Sequence, residues 1–179
     1  GAVGNVNPAK GYEHLLHALP PVVDSFDDVI IPVVGSILDS QQSYYTRLLE
    51  IRSRLGLEDS VQFLGFRENI PEILAQLDLF VMPSTTESGP IVTIEAMAME
   101  RPVVATDVGN VPAQIPSSEY GWVVPPGNSE KLSQAIQEAL SMPSTRRQRA
   151  KKGRKHAMER FSVEACAESY ERIYRQVTL

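Results

Sequence analysis

The chain has 179 residues, 42% hydrophobic and 22% charged, which suits one α/β domain able to bury about 70% of its unfolded surface. A formal net charge of −5 argues weakly against a nucleic-acid binder, because phosphate backbones are met by a basic excess. The single cysteine, Cys166, rules out an internal disulfide, no apolar run approaches the roughly 20 residues that cross a bilayer, and no targeting segment is visible, so a cytoplasmic protein is expected.

The chain begins without Met in the apolar Gly1-Ala2-Val3-Gly4, as though a strand had been cut into, and a piece of a longer protein is expected. Ala2 to Val6 reads as a strand turning at Asn7-Pro8, and Tyr12 to Val23 reads as a helix with Leu15, Leu16 and Leu19 as its apolar stripe. Val29 to Val34 is a β-branched strand closed by Gly35, and Gln41 to Leu55 is a helix stopped by Gly56. Val61 to Leu64 is a short strand ending at Gly65, and Ile70 opens a brief helix through Leu77. The apolar run Leu77 to Pro83 ends abruptly in Ser84, Thr85, Thr86, Glu87, Ser88 and Gly89, residues suited to a loop. Pro90 then opens a helix as its first residue, leaving the free amides of Ile91 and Val92 facing outward. Such an end holds anions, phosphate above all, because macrodipole and unpaired N–H groups act together. Val103 to Ala105 and Gly121 to Val124 are further strands, and Ser129 is read as the N-cap of a helix to Met142. Arg146 to Arg160 and Ser162 to Val177 close the chain as two helices, with Ser162 as cap.

Strands alternating with helices imply parallel pairing and right-handed crossovers: a Rossmann-like, doubly wound sheet in a three-layer α/β/α domain. Ligands bind such sheets at the carboxyl ends of the strands, near the switch in strand order, where three polar loops are available: Gly4 to Lys10, Gly65 to Asn69, and Ser84 to Gly89. Lys10 is placed to bring an ammonium to a phosphate; as a cation in the first turn of a helix it opposes the dipole, which favours a role over accident. Glu87 and Glu95 mean little by spacing alone. Glu95, however, lies among Ile91, Val92, Ile94, Ala96, Met97 and Ala98, which implies burial and the need for a partner. His14 and His17 lack a third ligand and read as helix surface. The basic run Arg146, Arg147, Arg149, Lys151, Lys152, Arg154 and Lys155 reads as a solvated face, with contact to an anionic membrane the alternative. Cys166 and Trp122 are read as core or domain-contact residues.

The ordered segments VGNVNPAKG, FLGF, PSTTESGPIVTIEAMA, RPVVATDVGNVP, GWVVPPGN and the terminal FS before a tyrosine-containing helix resemble the nucleotide-binding, carboxyl-terminal half of a retaining glycosyltransferase of the GT-B fold, family 4. The resemblance implies a nucleoside-diphosphate sugar, such as a UDP- or GDP-sugar, as donor. Glu87 would lie at the sugar, Glu95 would accept the ribose hydroxyls, and the loop Ser88, Gly89, Pro90 with the amides of Ile91 and Val92 would hold the diphosphate. Lys10 would neutralise that diphosphate, and main chain around Arg67 would contact the base. Lys10 and Glu87 are thus the catalytic expectations. Asn5 stands where the family usually has a second cation, an arginine, and the lost contact costs about 1.5 to 3 kcal/mol. Pro90 and Glu100 stand where glycine is common.

Bond breaking in such a donor builds negative charge on the diphosphate, which preorganised amides and a lysine can stabilise. No metal or other cofactor is expected, since no aspartate pair or His/Cys cluster appears. The resemblance further implies an amino-terminal domain that carries the acceptor site, an acceptor that is a glycan, lipid or small molecule, and last helices from about residue 146 packing back toward that domain. The domain alone should bind nucleotide without turnover. Two alternatives stand beside this: a non-catalytic nucleotide-sugar-binding module, made thinkable by Asn5, and a GT-B-like sugar-nucleotide epimerase, disfavoured by the paired-glutamate loop.

Overall fold

In the computed structural model, which describes residues 1–177, six parallel strands alternate with helices. The strands β1 (Ala2–Val3), β2 (Ile31–Val34) and β3 (Val61–Gly65) pair in the order β1-β2-β3, and β4 (Phe80–Met82), β5 (Val103–Thr106) and β6 (Trp122–Val124) pair in the order β4-β5-β6. Val81 N donates to Gly1 O at 2.8 Å and the Gly1 amino group to Leu79 O at 2.9 Å, which joins the two sets edge to edge. The resulting order 3-2-1-4-5-6 reverses between β1 and β4, so the loops after those two strands flank the switch point. Every residue of β4 and β5 is buried, as expected of parallel strands covered on both faces.

Between the strands run α1 (Tyr12–Ala18), α2 (Pro20–Ser25), α3 (Gln42–Arg54), α4 (Ile70–Gln76), α5 (Ile91–Ala98), α6 (Val111–Gln114) and α7 (Ser129–Ser141), followed by α8 (Pro143–Phe161) and α9 (Val163–Val177). The helix expected over Tyr12 to Val23 is divided because Pro20 has no N–H to continue the ladder; Leu19 N bonds instead to Leu16 O, and α2 restarts on Pro20. Asn128, not Ser129, caps α7, its Oδ1 accepting Lys131 N at 2.9 Å. Ser162 caps α9 as expected, Oγ accepting Ala165 N at 3.1 Å. Pro90 is the N-cap of α5, with extended ψ of 107°, rather than its first residue. β1 ends at Val3, although Gly4 N and Val6 N still donate to Val34 O and Ser36 O, both at 2.8 Å, as the chain turns into the first loop. The short α6 gives no periodic signal in the sequence.

Two cores lie on the sheet. One packs Tyr12, Leu15, Leu16 and Leu48 against β1, β2 and α7; the other packs Leu74, Phe80, Met97 and Ala157 around α5. A fully buried Leu, Phe or Met is worth about 1.5–3 kcal/mol over an exposed one, and Met97, 0% exposed like its neighbour Ala96, holds the inner face of α5 in the core. α8 lies across α5 through Ala150, Gly153 and Ala157, small residues that allow close approach.

Candidate donor site

The first loop and the β4–α5 loop are zipped together at the switch point. Gly11 has φ +66°, and a Cβ there would stand 2.0 Å from Pro83 O, so only glycine lets the two backbones pass. Thr85 N donates to Ala9 O at 2.8 Å. Across this seam Lys10 Nζ donates to Glu87 Oε1 at 2.6 Å, and Ser84 Oγ donates to the same oxygen at 2.9 Å. The two ionic side chains are 24% and 14% exposed, so the pair is partly shielded from water. Lys10 ends a 3-10 turn, Pro8–Lys10, ahead of α1. It is therefore not a first-turn cation of that helix, and its carboxylate partner, not the dipole, holds it. Tyr12 donates to Gly4 O at 2.7 Å and ties the loop down. Burial, with Tyr44 and the Glu87 carboxylate adding charge repulsion, pushes the Tyr12 phenol well above its ordinary value, so it stays a donor.

A second brace comes from the segment after β5. Gly109 has φ +52°, and a Cβ there would meet Glu87 O at 2.3 Å and Ser88 O at 2.6 Å. Asn110 N donates to Ser88 O at 2.9 Å, the buried Gln114 donates through Nε2 to Pro90 O at 3.2 Å, and Thr106 Oγ1 donates to Ser84 O at 2.6 Å. The carbonyls of Ser84, Ser88 and Pro90 are thereby engaged by the β5–α6 segment. The amides of Ile91 and Val92, at the first helical positions, have no acceptor within α5. Thr106, Gly109, Asn110 and Gln114 were given no role from the sequence; the Gly109-Asn110 pair between a strand and a short helix was the only signal.

Glu95 corrects an expectation. It is exposed rather than buried, and its carboxylate makes no hydrogen bond or ion pair among the described residues. α5 buries Thr93, Ala96 and Met97, while Ile91, one turn before Glu95 on the same face, is 69% exposed. The open face of the helix thus carries the free amides and a carboxylate together. Asn5 is a loop tie: its Oδ1 accepts Ser36 N at 3.2 Å, bridging the ends of β1 and β2. Arg67 sits in the loop after β3, exposed, with Nη1 on Phe66 O at 2.9 Å. No hydrogen bond joins it to the Lys10–Glu87 pair, because β2 and β1 intervene in the sheet.

The model of the glycosyl transferases group 1 family matches residues 1–156. This chain belongs to that family. Curated relatives of the group 1 domain include N-acetyl-alpha-D-glucosaminyl L-malate synthase of Bacillus anthracis, 28% identical over 98% of this chain and 44% of the relative. Another is phosphatidyl-myo-inositol mannosyltransferase of Mycobacterium leprae, 33% identical over 95% of this chain and 44% of the relative. Among solved structures, Anabaena HepE in complex with UDP superposes with a TM-score of 0.90 at 30% identity, covering 98% of this chain and 48% of that one. The same protein with UDP-glucose gives 0.88 over the same coverage. The expected three-layer α/β/α domain, Rossmann-like and matching one half of a GT-B glycosyltransferase, is therefore the observed one. The chain spans less than half the length of these relatives.

Other features of the group 1 domain lie away from this seam. A cavity of about 680 Å³ opens at the opposite, amino-terminal ends of the strands, against Leu15, Phe26, Ile73 and Arg146. One of about 470 Å³ lies beside β6, against Ser117, Trp122, Lys131 and Arg149. Trp122 is buried, with Nε1 donating to Glu138 at 2.9 Å and the Arg149 guanidinium 4.0 Å above its ring. Cys166, read as a core or domain-contact residue, is exposed, since α9 buries none of its residues. His14 is half-buried and His17 exposed on α1. Within the basic run, Lys152 pairs with Glu119 at 2.6 Å, and Arg147, Lys151 and Arg154 are exposed. Among the described residues no helix is long and apolar enough to cross a membrane.

Proposed function

We propose that this chain is the donor-binding domain of a retaining, family 4 glycosyltransferase that moves a sugar from a nucleoside-diphosphate sugar to a glycan, lipid or small-molecule acceptor. The observation that carries the reading is the Lys10–Glu87 contact of 2.6 Å at the switch point, beside the start of α5, whose N-cap Pro90 makes no side-chain cap bond. A cation, a carboxylate and free helix amides stand on one seam. In this reading Lys10 and the amides of Ile91 and Val92, framed by Ser88, Gly89 and Pro90, take the charge that grows on the leaving diphosphate. Glu95, exposed and without a protein partner, accepts the ribose hydroxyls; Glu87 faces the sugar; and main chain near Arg67 takes the base. Lys10 and the helix amides supply the positive charge without a divalent metal. The UDP and UDP-glucose held by the HepE structures support a UDP-sugar as donor.

Beside the seam, Ile91 and Glu95 of α5 are exposed. An amino-terminal domain supplies the acceptor site in this reading, so the isolated domain binds nucleotide without turnover; the reading places the protein in the cytoplasm, with the basic run of α8 as a solvated face and peripheral membrane contact of the full-length protein as the alternative. One observation favours a second reading, a nucleotide-sugar-binding module without catalysis: Asn5 offers a main-chain tie where the family usually has a cation. Titration calorimetry with UDP, GDP, ADP and their sugars tests the shared premise. Binding of one of them is expected, and no binding of any at millimolar concentration removes both readings. Transfer by the full-length protein, lost on Glu87→Ala with nucleotide binding kept, separates the enzyme from the module.

A further inference from the structure

We propose that Glu87 is the resting counterion of Lys10, and that an incoming nucleoside diphosphate takes Lys10 from it, releasing the carboxylate for the donor sugar only after the diphosphate is seated. The inference rests on the donor-site reading and adds an order of events to it. Its basis is the unequal tethering of the two partners. Glu87 Oε1 accepts from both Lys10 and Ser84, and Ser84 is itself 1% exposed with its carbonyl held by Thr106 at 2.6 Å. The Glu87 main chain is seated against Gly109, where even a Cβ would not fit. Once Lys10 departs, Glu87 therefore keeps its place on the Ser84 hydroxyl.

Lys10 is the movable member. Its ammonium has Glu87 as its one hydrogen-bond partner among the described residues, and its stem lies over Gly4, where an added Cβ would come within 3.0 Å of Cε. Four rotatable bonds let the ammonium swing while Ala9 O stays pinned by Thr85. A diphosphate brings more negative charge than one carboxylate and gains from the α5 amides as well, so it outcompetes Glu87 for the same cation. A carboxylate still bound to Lys10 is a poorer acceptor for a sugar hydroxyl, because one oxygen already serves two donors.

The test is a double-mutant cycle read by titration calorimetry on the whole chain, using the tightest of UDP, GDP and ADP and its parent nucleoside. Glu87→Gln should bind the diphosphate about fivefold more tightly than the unaltered chain, a gain kept modest by partial exposure of the pair. Its affinity for the nucleoside should not change, which also reports that the site is folded. In the Lys10→Ala background the gain from Glu87→Gln should vanish. Equal or weaker diphosphate binding by Glu87→Gln overturns the exchange. So does an undiminished gain in the Lys10→Ala background, which would show repulsion between Glu87 and the phosphates acting without Lys10. Failure of the unaltered chain to bind any nucleotide is a different result: it overturns the donor-site reading itself, and the exchange with it.

Discussion

In the proposed reading Lys10 meets the diphosphate and Glu95 the ribose, so substituting each should leave a different signature. Lys10→Ala removes a charge-assisted contact worth about 1.5–3 kcal/mol, so diphosphate affinity should fall roughly 10- to 100-fold while the nucleoside is held nearly as before. Glu95→Gln should weaken both ligands alike, because the ribose is common to them; titration of diphosphate and nucleoside against each variant reads the difference. Tyr12 offers a pH test. Its phenol is pushed above the ordinary value of 10.0, mainly by burial, and burial likewise raises Tyr44 to about 12. A raised folded-state value means that the unfolded chain loses the proton first as pH rises. Stability from these groups is therefore fully present below pH 10 and is lost as pH climbs through the raised values. Tyr12→Phe should cost about 1 kcal/mol at neutral pH, through the lost bond to Gly4 O, and should flatten the alkaline decline. Urea unfolding at neutral pH and at about pH 11 measures both.

At the scale of elements, the β5–α6 segment decides whether the β4–α5 loop keeps its shape. Gly109→Ala would drive a Cβ to within 2.6 Å of two loop carbonyls at φ +52°. The backbone must shift, the left-handed conformation adds about 1–2 kcal/mol, and the unfolding midpoint should fall with diphosphate affinity. A variant that unfolds at the original urea concentration would mean that this close approach is not rigid. Beyond the Gly109-Asn110 pair, this bracing is not legible in the sequence. α6 has four residues, too few to show a period, and it is held by tertiary bonds such as Gln114 to Pro90. The strands and longer helices were legible because parallel strands are apolar on both faces and helices repeat their stripes. Lys10 and Glu87 were recognised singly, whereas their contact joins residues 77 apart in sequence and is set by strand order. Glu95 is exposed against expectation because composition does not show which side of an apolar helix stays in solvent.

Across the whole molecule, stability and surface are distributed unevenly, and α9 is the extreme. It buries no residue, and Val163 at 82%, Tyr170 at 58%, Ile173 at 55%, Tyr174 at 66% and Val177 at 78% are all exposed. α8 differs: Ala150, Gly153 and Ala157 are buried against α5 and its surroundings, and Arg149 stacks on Trp122. Phe161 meets His156 ring to ring at 5.7 Å, so the packed structure closes at the end of α8. Burial at about 25 cal/mol per Å² stabilises only what is withdrawn from water, and α9 withdraws little. A chain ending at Ser162 should therefore unfold within about 1 kcal/mol of the original, close to the effect of a typical surface change. Its nucleotide affinity should be unaltered, because the seam between Lys10 and Glu87 is built without α9. A cluster of apolar side chains left in water also promotes association, so the shortened chain should be the less prone of the two to self-associate in sedimentation. A fall in stability of several kcal/mol would show instead that α9 is a structural part of this domain, and that its apolar face already has its partner here.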